Sequence, residues 1–366
     1  MSDEKSISEG IYRTLAQRLD ALPNGFPATK VGAELRLLAK IFTPEEAVLA
    51  AIMTAKPEPH ETIAARAGVE PRAAHRTLKN MVRRGLITMR RGEAASGTRG
   101  LHFALMPFVV GFYEAQLPRM DAELAALFED YFYATRGIDT PGPSVHRVIP
   151  VGETVRGEIE IHPFEQATAM IEAAKSWAVR DCICRTQQHL LDKGCDAPVE
   201  NCLVFASVEG VFGSGGIDRA ITKEEALHIL GEAADAGLVH SVSNHREGHN
   251  YICNCCTCCC GVLRRVAEFA VPTAIARSAF RAQVDSELCT GCGACEDRCQ
   301  FGALARLDGM ATIDPLRCVG CGQCTLACPT GALSLTRLAE AEIEALPIDE
   351  AAWTVARLAQ RPLPES

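Results

Sequence analysis

The stretch VDSELCTGCGACEDRCQFGALAR (residues 284–306) is followed by IDPLRCVGCGQCTLACPTGALSL (residues 313–335), which repeats the first with an offset of 29 residues. Both halves carry the cysteine spacing C-x2-C-x2-C-x3-C. Two-residue gaps let a tight loop wrap three thiolates around one iron–sulfur cube, while the fourth cysteine starts a helix and faces another cube. The spacing therefore predicts two [4Fe–4S] sites. Their cysteines are Cys289, Cys292, Cys295 and Cys299 in the first half and Cys318, Cys321, Cys324 and Cys328 in the second.

These motifs resemble those of the bacterial two-cluster [4Fe–4S] ferredoxins. The resemblance implies a ferredoxin-like fold for residues 280–336 and crossed ligation between the halves. It assigns Cys289, Cys292, Cys295 and Cys328 to cluster one, and Cys318, Cys321, Cys324 and Cys299 to cluster two. Gln300 departs from the pattern, because the second half has Pro329 there, and we expect it to affect local rigidity more than ligation. Two zinc sites are the alternative, which the duplicated spacing disfavours.

Composition narrows the class of protein. The chain has 366 residues, a net charge of −9 and 18 cysteines, the first of which is Cys182. The negative charge argues against a general polyanion binder. The clustered cysteines and the polar N-terminus MSDEKSISEGIYR argue against a secreted disulfide scaffold. We expect a cytoplasmic protein of an anaerobic cell without membrane insertion, because thiolates and low-potential clusters persist in a reducing compartment.

Residues 1–137 are predicted to form a helical domain that resembles a winged helix-turn-helix. Thr43 begins a capping box with Glu46, which predicts a helix from there to Ala55. Helices over 61–67 and 71–84 follow, and two strands enclose a Gly/Ser-rich hairpin with its tip at residues 92–97. Helices are also predicted over 106–117 and 121–135. The aromatic stripe of the last one fits core packing or a dimer contact.

The second helix of this motif has a basic face. Residues 56–100 contain ten Lys or Arg against four Asp or Glu, within an acidic chain. A basic helix that would enter a major groove is typical of DNA readers. The same pattern also occurs on solvated helices and docking modules, so fold resemblance alone does not establish DNA binding. The candidate contacts are Arg72, Arg76, Lys79 and Arg83.

The predicted middle domain, residues 145–275, is rich in cysteine. We expect strands at 147–151 and 157–161, a helix over 163–179 and another over 222–237 that begins with a Thr-x-x-Glu cap. Ten cysteines follow in two groups. The first contains Cys182, Cys184, Cys195 and Cys202, and the second contains Cys253, Cys255, Cys256, Cys258, Cys259 and Cys260.

Thiolate-only ligation suits iron–sulfur clusters or zinc. The neighbouring ferredoxin motifs favour a third iron–sulfur cluster, held by the first group, the second group or both, with zinc as the main alternative. Ten cysteines exceed the need of one cube, so the ligand subset stays open, and a non-cubane cluster, two clusters and spare redox-active thiols are further alternatives. Arg185, Arg264 and Arg265 lie beside the groups and could stabilise thiolates. His240, His245 and His249 flank the second group, and we expect exposed loop residues there, with a histidine ligand as the alternative.

Together these patterns predict an α+β multidomain protein: a winged helix-turn-helix domain, a cysteine-rich α+β middle domain, a ferredoxin-like domain and a helical tail over 337–366. The leading functional hypothesis is single-electron transfer to a redox partner protein. A regulator that senses redox state and binds nucleic acid through the winged helix is the rival. A reductase component with a catalytic middle cluster is the third hypothesis. The sequence motifs indicate no catalytic residue.

Overall fold

The computed structural model describes residues 2–93, 99–138, 141–151, 162–213 and 216–361, and for residues 2–8, 93 and 99 the backbone alone. The chain divides into two compact units, residues 1–138 and 139–366. Both units combine helices with sheets, which confirms the α+β class. The segments predicted as the middle domain, the ferredoxin domain and the tail all belong to the second unit.

The first unit contains six α-helices and a three-stranded antiparallel sheet of order β1-β3-β2 among its described residues. The helices are α1 (Ser2–Asp20), α2 (Ala33–Ile41), α3 (Pro44–Ile52), α4 (His60–Ala67), α5 (Pro71–Arg83) and α6 (Ala122–Ala134), and the strands are β1 (Glu58–Pro59), β2 (Ile87–Glu93) and β3 (Arg99–Leu105).

Local signals account for several of these boundaries. The Thr43 hydroxyl accepts from the amide of Glu46, whose carboxylate accepts from the amide of Thr43, so the predicted capping box is confirmed. Gly68 ends α4 with a positive φ, as a turn between two helices requires. The sequence did not predict helix α2. The predicted tip of the hairpin at 92–97 lies largely outside the described residues.

The helix predicted over 106–117 is wrong. Val109, Val110 and Gly111 have non-helical backbone angles, and only Glu114–Arg119 forms a 3-10 turn. The Glu114 carboxylate accepts from the amides of Val110 and Gly111, at 3.3 and 2.7 Å, so these donors do not enter a helix. The aromatic stripe of α6 packs inside the unit, where Phe128 and Tyr131 contact the ring of Phe108.

The second unit is built on a six-stranded antiparallel sheet of order β4-β8-β9-β6-β5-β7. The strands are β4 (His146–Ile149), β5 (Ser176–Asp181), β6 (Glu200–Ala206), β7 (Arg219–Ile221), β8 (Val239–Ser243) and β9 (Tyr251–Cys255), and the helices are α7 (Ala167–Ala173), α8 (Ile183–Leu190), α9 (Lys223–Asp235) and α10 (Gly261–Phe269).

The two faces of this sheet pack on different layers. Side chains alternate between the faces of a strand, and neighbouring Val148 and Ile149 belong to different buried clusters. Ile149 packs in the cluster that covers α7 and α9. Val148 packs with α10 and with Phe301 and Val319, which lie in the repeat that carries the ferredoxin motifs. The sheet therefore holds the C-terminal repeat against its second face.

The helix predicted over 163–179 is wrong in its second half. Helix α7 ends at Ala173, and the residues that follow form β5, which pairs with β6 on one side and β7 on the other. The indole of Trp177 donates to the carbonyl of Ile171 at 2.8 Å, across the turn between helix and strand. The predicted strand at 157–161 lies outside the described residues.

The repeat forms two antiparallel strand pairs, β10 with β13 and β11 with β12, and two short helices. The tail packs elsewhere in the second unit, where the indole of buried Trp353 donates to the carbonyl of Ser144 at 3.0 Å. No helix within the described ranges is long and apolar enough to cross a membrane. The elements are β10 (Phe280–Val284), α11 (Ala294–Arg298), β11 (Leu304–Leu307), β12 (Met310–Ile313), α12 (Gln323–Leu326), β13 (Leu333–Arg337) and α13 (Glu350–Ala359).

Candidate metal centres

The eight cysteines of the repeat surround two separate cavities. Each cavity takes three cysteines from one half of the repeat and one from the other. The crossing cysteines, Cys299 and Cys328, follow the ends of α11 and α12, so the expectation that the fourth cysteine starts a helix is wrong. The first cavity is lined by Cys289, Cys292, Cys295 and Cys328, and the second by Cys299, Cys318, Cys321 and Cys324.

The surroundings of both cavities fit an iron–sulfur cube. Phe301, Leu304 and Val319 line the second cavity, so little solvent reaches it. Backbone amides point at the sulfurs: Ala303 donates to Sγ of Cys299 at 3.3 Å, and Ala311 to Sγ of Cys289 at 3.5 Å. Such hydrogen bonds and burial are the means by which proteins tune cluster potentials.

Without metal, the second cavity favours neutral thiols. Burial raises the pKa of Cys321 to about 12. Since an iron–sulfur cluster binds thiolates, cluster assembly at this site must release protons, and metal binding supplies the free energy for that release.

The ten cysteines of the middle region fall into two groups that the sequence did not indicate. In the larger group, six thiols lie close enough to perturb one another's pKa. We call it the six-cysteine group. It contains Cys182, Cys184, Cys202, Cys253, Cys255 and Cys260.

Secondary structure assembles this group at one end of the sheet. Cys182 and Cys184 lie at the junction of β5 and α8, Cys202 on β6, and Cys253 on β9. Hydrogen bonds from Cys182 and Cys253 hold the pKa of Cys202 well below its usual range. Hydrogen bonding among the thiols, together with burial, raises the pKa of Cys182. Hydrogen bonding thus shifts the pKa values of these two neighbouring thiols in opposite directions.

The remaining four thiols form a compact set. Cys195, Cys256, Cys258 and Cys259 have their sulfurs all within 4.8 Å of one another. We call it the four-cysteine set. Cys195 comes from the connection between α8 and β6, and the others from the turn between β9 and α10. The structure thus separates Cys195 from Cys182, Cys184 and Cys202, its partners in the predicted first group.

A buried cation lies beside the four-cysteine set. The Arg185 side chain is fully buried, donates to Sγ of Cys256 at 3.2 Å and also donates to the carbonyl of Pro198. A hydrogen bond from Cys259 and the charge of Arg185 lower the pKa of Cys256. Arg264, by contrast, pairs with Glu268 at 2.6 Å. The prediction that an arginine lies beside a thiol is therefore confirmed for Arg185.

The histidines near the second group are not exposed loop residues. His240 lies on β8 and is buried, with Nδ1 2.6 Å from Oδ1 of Asn254. His245 is buried as well and stacks on His249. The sequence analysis also missed buried His146, whose Nε2 is 3.1 Å from the Tyr251 hydroxyl. Residues Val239–Val242 of β8 are all buried, so this strand lacks the period-two alternation that would have marked His240 as buried.

The second cavity and the six-cysteine group share one buried core. Cys299 and Cys321 pack against the cluster that contains Cys255 and Cys260, and Cys253 joins it from β9. The backbone is linked too, since the amide of Val151 donates to the carbonyl of Cys321 at 3.0 Å. A cofactor in the second cavity would therefore adjoin the six-cysteine group.

Gln300, where the two halves of the repeat differ, connects the repeat to the middle region. Its Oε1 accepts from the amide of Thr257 at 2.7 Å, and its Nε2 donates to the carbonyl of Gly237. Arg298 and Gln323 extend this contact to the end of α9 and the start of β8. Proline could make neither side-chain bond, so the departure from the repeat has a structural reason beyond local rigidity.

In the first unit, the basic residues predicted to contact DNA are all exposed on α5. Ala74, Leu78 and Met81 form the buried face of this helix. The exposed set comprises Arg72, Arg76, Lys79 and Arg83.

Comparison with known proteins supports the assignment of the repeat. Residues 282–305 and 311–334 each match the family model described as a 4Fe-4S binding domain. Among curated proteins, none matches the chain. The chain thus contains a two-repeat, ferredoxin-like 4Fe–4S module, and iron–sulfur electron transfer is the activity that this module indicates.

Proposed function

We propose that the protein carries single electrons through the two [4Fe–4S] clusters to a third cluster in the six-cysteine group. The observation that carries this proposal is the shared core, in which Cys299 and Cys321 pack with Cys253, Cys255 and Cys260. Adjacent clusters with a dry, apolar boundary are suited to rapid electron exchange. Cluster one takes Cys289, Cys292, Cys295 and Cys328, and cluster two takes Cys299, Cys318, Cys321 and Cys324.

The exposure of the cysteines supports a direction for the relay. Cys292 at cluster one is exposed, whereas Cys321 and Cys324 at cluster two are enclosed. Electrons from a redox partner would enter at cluster one and move inward. Exposed carboxylates at Glu287 and Glu296 flank this entry. They suit a partner with a basic docking surface.

Iron content and magnetic coupling test the relay in the full chain purified without oxygen. Two cubes supply about eight irons per chain, and a third cluster raises the count to about twelve or more. Reduced clusters in contact broaden each other's low-temperature EPR signals. We expect Cys255→Ser to lower the iron content and to remove the part of the broadening that the third cluster causes in the signal of cluster two, while both ferredoxin signals remain.

A matched change in the entry cluster controls for general loss of iron. Cys292→Ser should perturb cluster one and leave the broadening between cluster two and the third cluster. About eight irons in the wild type, with spectra unchanged by Cys255→Ser, would show that the six-cysteine group holds no cluster.

A second function is favoured by one observation in the first unit. Helices α4 and α5, with the β2–β3 hairpin and β1 paired to β3, support the winged helix-turn-helix interpretation, and α5 exposes four cations. We propose that this unit binds duplex DNA through α5, so that cluster state could be coupled to DNA affinity. The test is salt-dependent binding of duplex DNA by the full chain.

The large number of free thiols also supports a proposal about the cellular compartment of the protein. None of the 18 cysteines forms a disulfide in the structure. We propose that the protein works in a reducing, oxygen-poor cytoplasm, where thiolates and clusters persist.

A further inference from the structure

The four-cysteine set has a geometry that differs from that of the other cysteine sites. Sγ of Cys195 lies 3.7 Å from Sγ of Cys256 and 3.8 Å from Sγ of Cys259, and the sulfurs of Cys258 and Cys259 are 3.8 Å apart. All four sulfurs lie within 4.8 Å of one another. In the part of the chain that the structure describes, no other set of three or more His, Cys, Asp or Glu ligand atoms is this compact.

These separations match the edges of a tetrahedron around one metal ion. Zinc binds thiolate sulfur at about 2.3 Å, so the edges of a ZnS4 tetrahedron measure about 3.8 Å. The terminal thiolates of an iron–sulfur cube bind four different irons and point outward from its corners. Their sulfurs must therefore lie further apart than sulfurs that share one ion. The set fits one ion and is too small for a cube.

The pair of adjacent cysteines also favours a single metal ion over a cube. Cys258 and Cys259 are neighbours in sequence, and their sulfurs nevertheless converge to 3.8 Å. Neighbouring residues reach two separate corners of a cube only with difficulty, whereas two ligands of a single ion need to converge. The six-cysteine group and the two ferredoxin cavities lack this compactness among their described residues.

The charge of the surroundings fits a metal–thiolate centre. A zinc ion with four thiolates carries a net charge of −2. Arg185 is fully buried next to Cys256, and its Nε has no hydrogen-bond partner among the described residues. A buried guanidinium needs an anionic neighbour, because an unpaired buried charge is costly. A zinc–thiolate centre would supply that counter-charge, so the position of this arginine is compatible with a metal-loaded set.

We infer that Cys195, Cys256, Cys258 and Cys259 bind one zinc ion as a closed structural site, separate from the iron–sulfur clusters. The ion joins the connection before β6 to the turn after β9, two strands that pair in the central sheet. It thereby fixes the turn whose Thr257 amide donates to Gln300 of the ferredoxin module. With all four ligands supplied by thiolates and no redox chemistry of its own, zinc holds the structure here and takes no electron.

Metal analysis of the full chain, purified without oxygen or chelators, tests this inference. We expect close to one zinc per chain, bound by four sulfurs at about 2.3 Å in the zinc K-edge absorption spectrum. Cys258→Ser changes the exposed ligand and should lower the zinc content at least fivefold while the iron content stays unchanged. Cys184→Ser, in the six-cysteine group, is the matched control and should retain the zinc.

The outcomes separate this inference from the proposed relay. Wild-type protein without zinc, with a single iron in place of zinc, or with iron lost by Cys258→Ser would overturn it. If Cys258→Ser misfolds, the wild-type absorption spectrum decides, because zinc with fewer than four sulfur ligands contradicts the site. An iron count of about eight would refute the third cluster and leave the zinc result unaffected.

Discussion

At the scale of single residues, Gly320 is placed where no side chain fits. It has a positive φ of 70°, and a Cβ there would lie 2.0 Å from the carbonyl oxygen of Phe280. A side chain would push the loop that carries Cys318 and Cys321 away from β10. Gly291 has the equivalent environment in the first half, 2.0 Å from the carbonyl oxygen of Gly309. The two halves of the repeat thus share this close backbone contact as well as their cysteine spacing.

We therefore expect Gly320→Ala to impair cluster two. The displaced loop cannot present its thiolates to one cube, so the iron content should fall by about four per chain. Iron analysis and EPR of the reduced protein measure this loss. Gly231→Ala is the control: this glycine lies in α9 with open space around it, and alanine there should add about 0.5–1 kcal/mol of stability. Equal iron contents in the two variants would contradict the prediction.

Buried His240 makes stability depend on pH. Burial lowers its pKa from 6.5 to about 4. The unfolded chain therefore binds the extra proton between pH 6.5 and 4, and stability falls as the pH is lowered through this window. Between pH 7.5 and 5.5 this histidine alone costs about 1 kcal/mol.

Replacement of this histidine isolates its contribution. His240→Gln retains an amide that can pair with Asn254, and its stability should fall by about 1 kcal/mol less than that of the wild type between pH 7.5 and 5.5. Thermal unfolding at constant ionic strength provides the comparison. The two proteins should show parallel profiles above pH 7.5, where the imidazole is neutral in both states. Parallel profiles over the whole range would mean that His240 does not carry the effect.

At the scale of elements, local chemistry predicted some boundaries and tertiary pairing decided others. The capping box of Thr43 and the Thr222 cap of α9 predicted helix starts that the structure has. Residues 176–181 (SWAVRD) carry no periodicity that separates a helix from a strand. Their pairing with β6 and β7 makes them β5. The residues of α2 carry no such start signal, since Gly32 precedes the helix without a side-chain cap.

The side chain of Gln300 joins the repeat to the turns that flank strands β8 and β9 of the central sheet. Gln300→Ala leaves the Thr257 amide and the Gly237 carbonyl without their side-chain partner. We expect a loss of about 1–3 kcal/mol in stability, with iron content unchanged. Gln283→Ala is the matched control, because Gln283 on β10 is exposed and its bond to Thr336 lies at the surface. Its effect should stay within about 0.5 kcal/mol. Similar melting temperatures for both variants would contradict a docking role.

At the scale of the whole molecule, the grouping of the middle cysteines shows where sequence reasoning ends. Spacing predicted the ferredoxin sites, because each loop supplies three ligands to its own cube. The middle groups draw on β5, β6, β9 and the turns around them, so their membership depends on strand order and register. Cys195 lies seven residues before Cys202 in the chain and yet joins Cys256, Cys258 and Cys259. No spacing rule contains that information.

Charge is distributed unequally between the two units. Residues 1–138 contain 18 Lys or Arg and 16 Asp or Glu, whereas residues 139–366 contain 19 and 30. The net charge of −9 therefore arises in the second unit, and the first unit carries a slight positive excess. An acidic chain as a whole can thus still present a cationic face on α5. The overall charge alone does not exclude DNA binding by the first unit.

If α5 contacts phosphates, the full chain should bind duplex DNA with a marked salt dependence. Each cation that neutralises a phosphate contributes about −0.9 to the slope of log K against log salt concentration. Arg76→Ala and Lys79→Ala should each reduce the steepness of this slope by about 0.9 and leave the iron content unchanged. Fluorescence anisotropy with mixed genomic fragments at several salt concentrations measures it. Arg13→Ala, which removes an exposed cation on α1, should leave the slope as in the wild type. Absence of binding at low salt, or equal slopes in all three variants, would contradict DNA binding through α5 and leave α5 as a solvated helix.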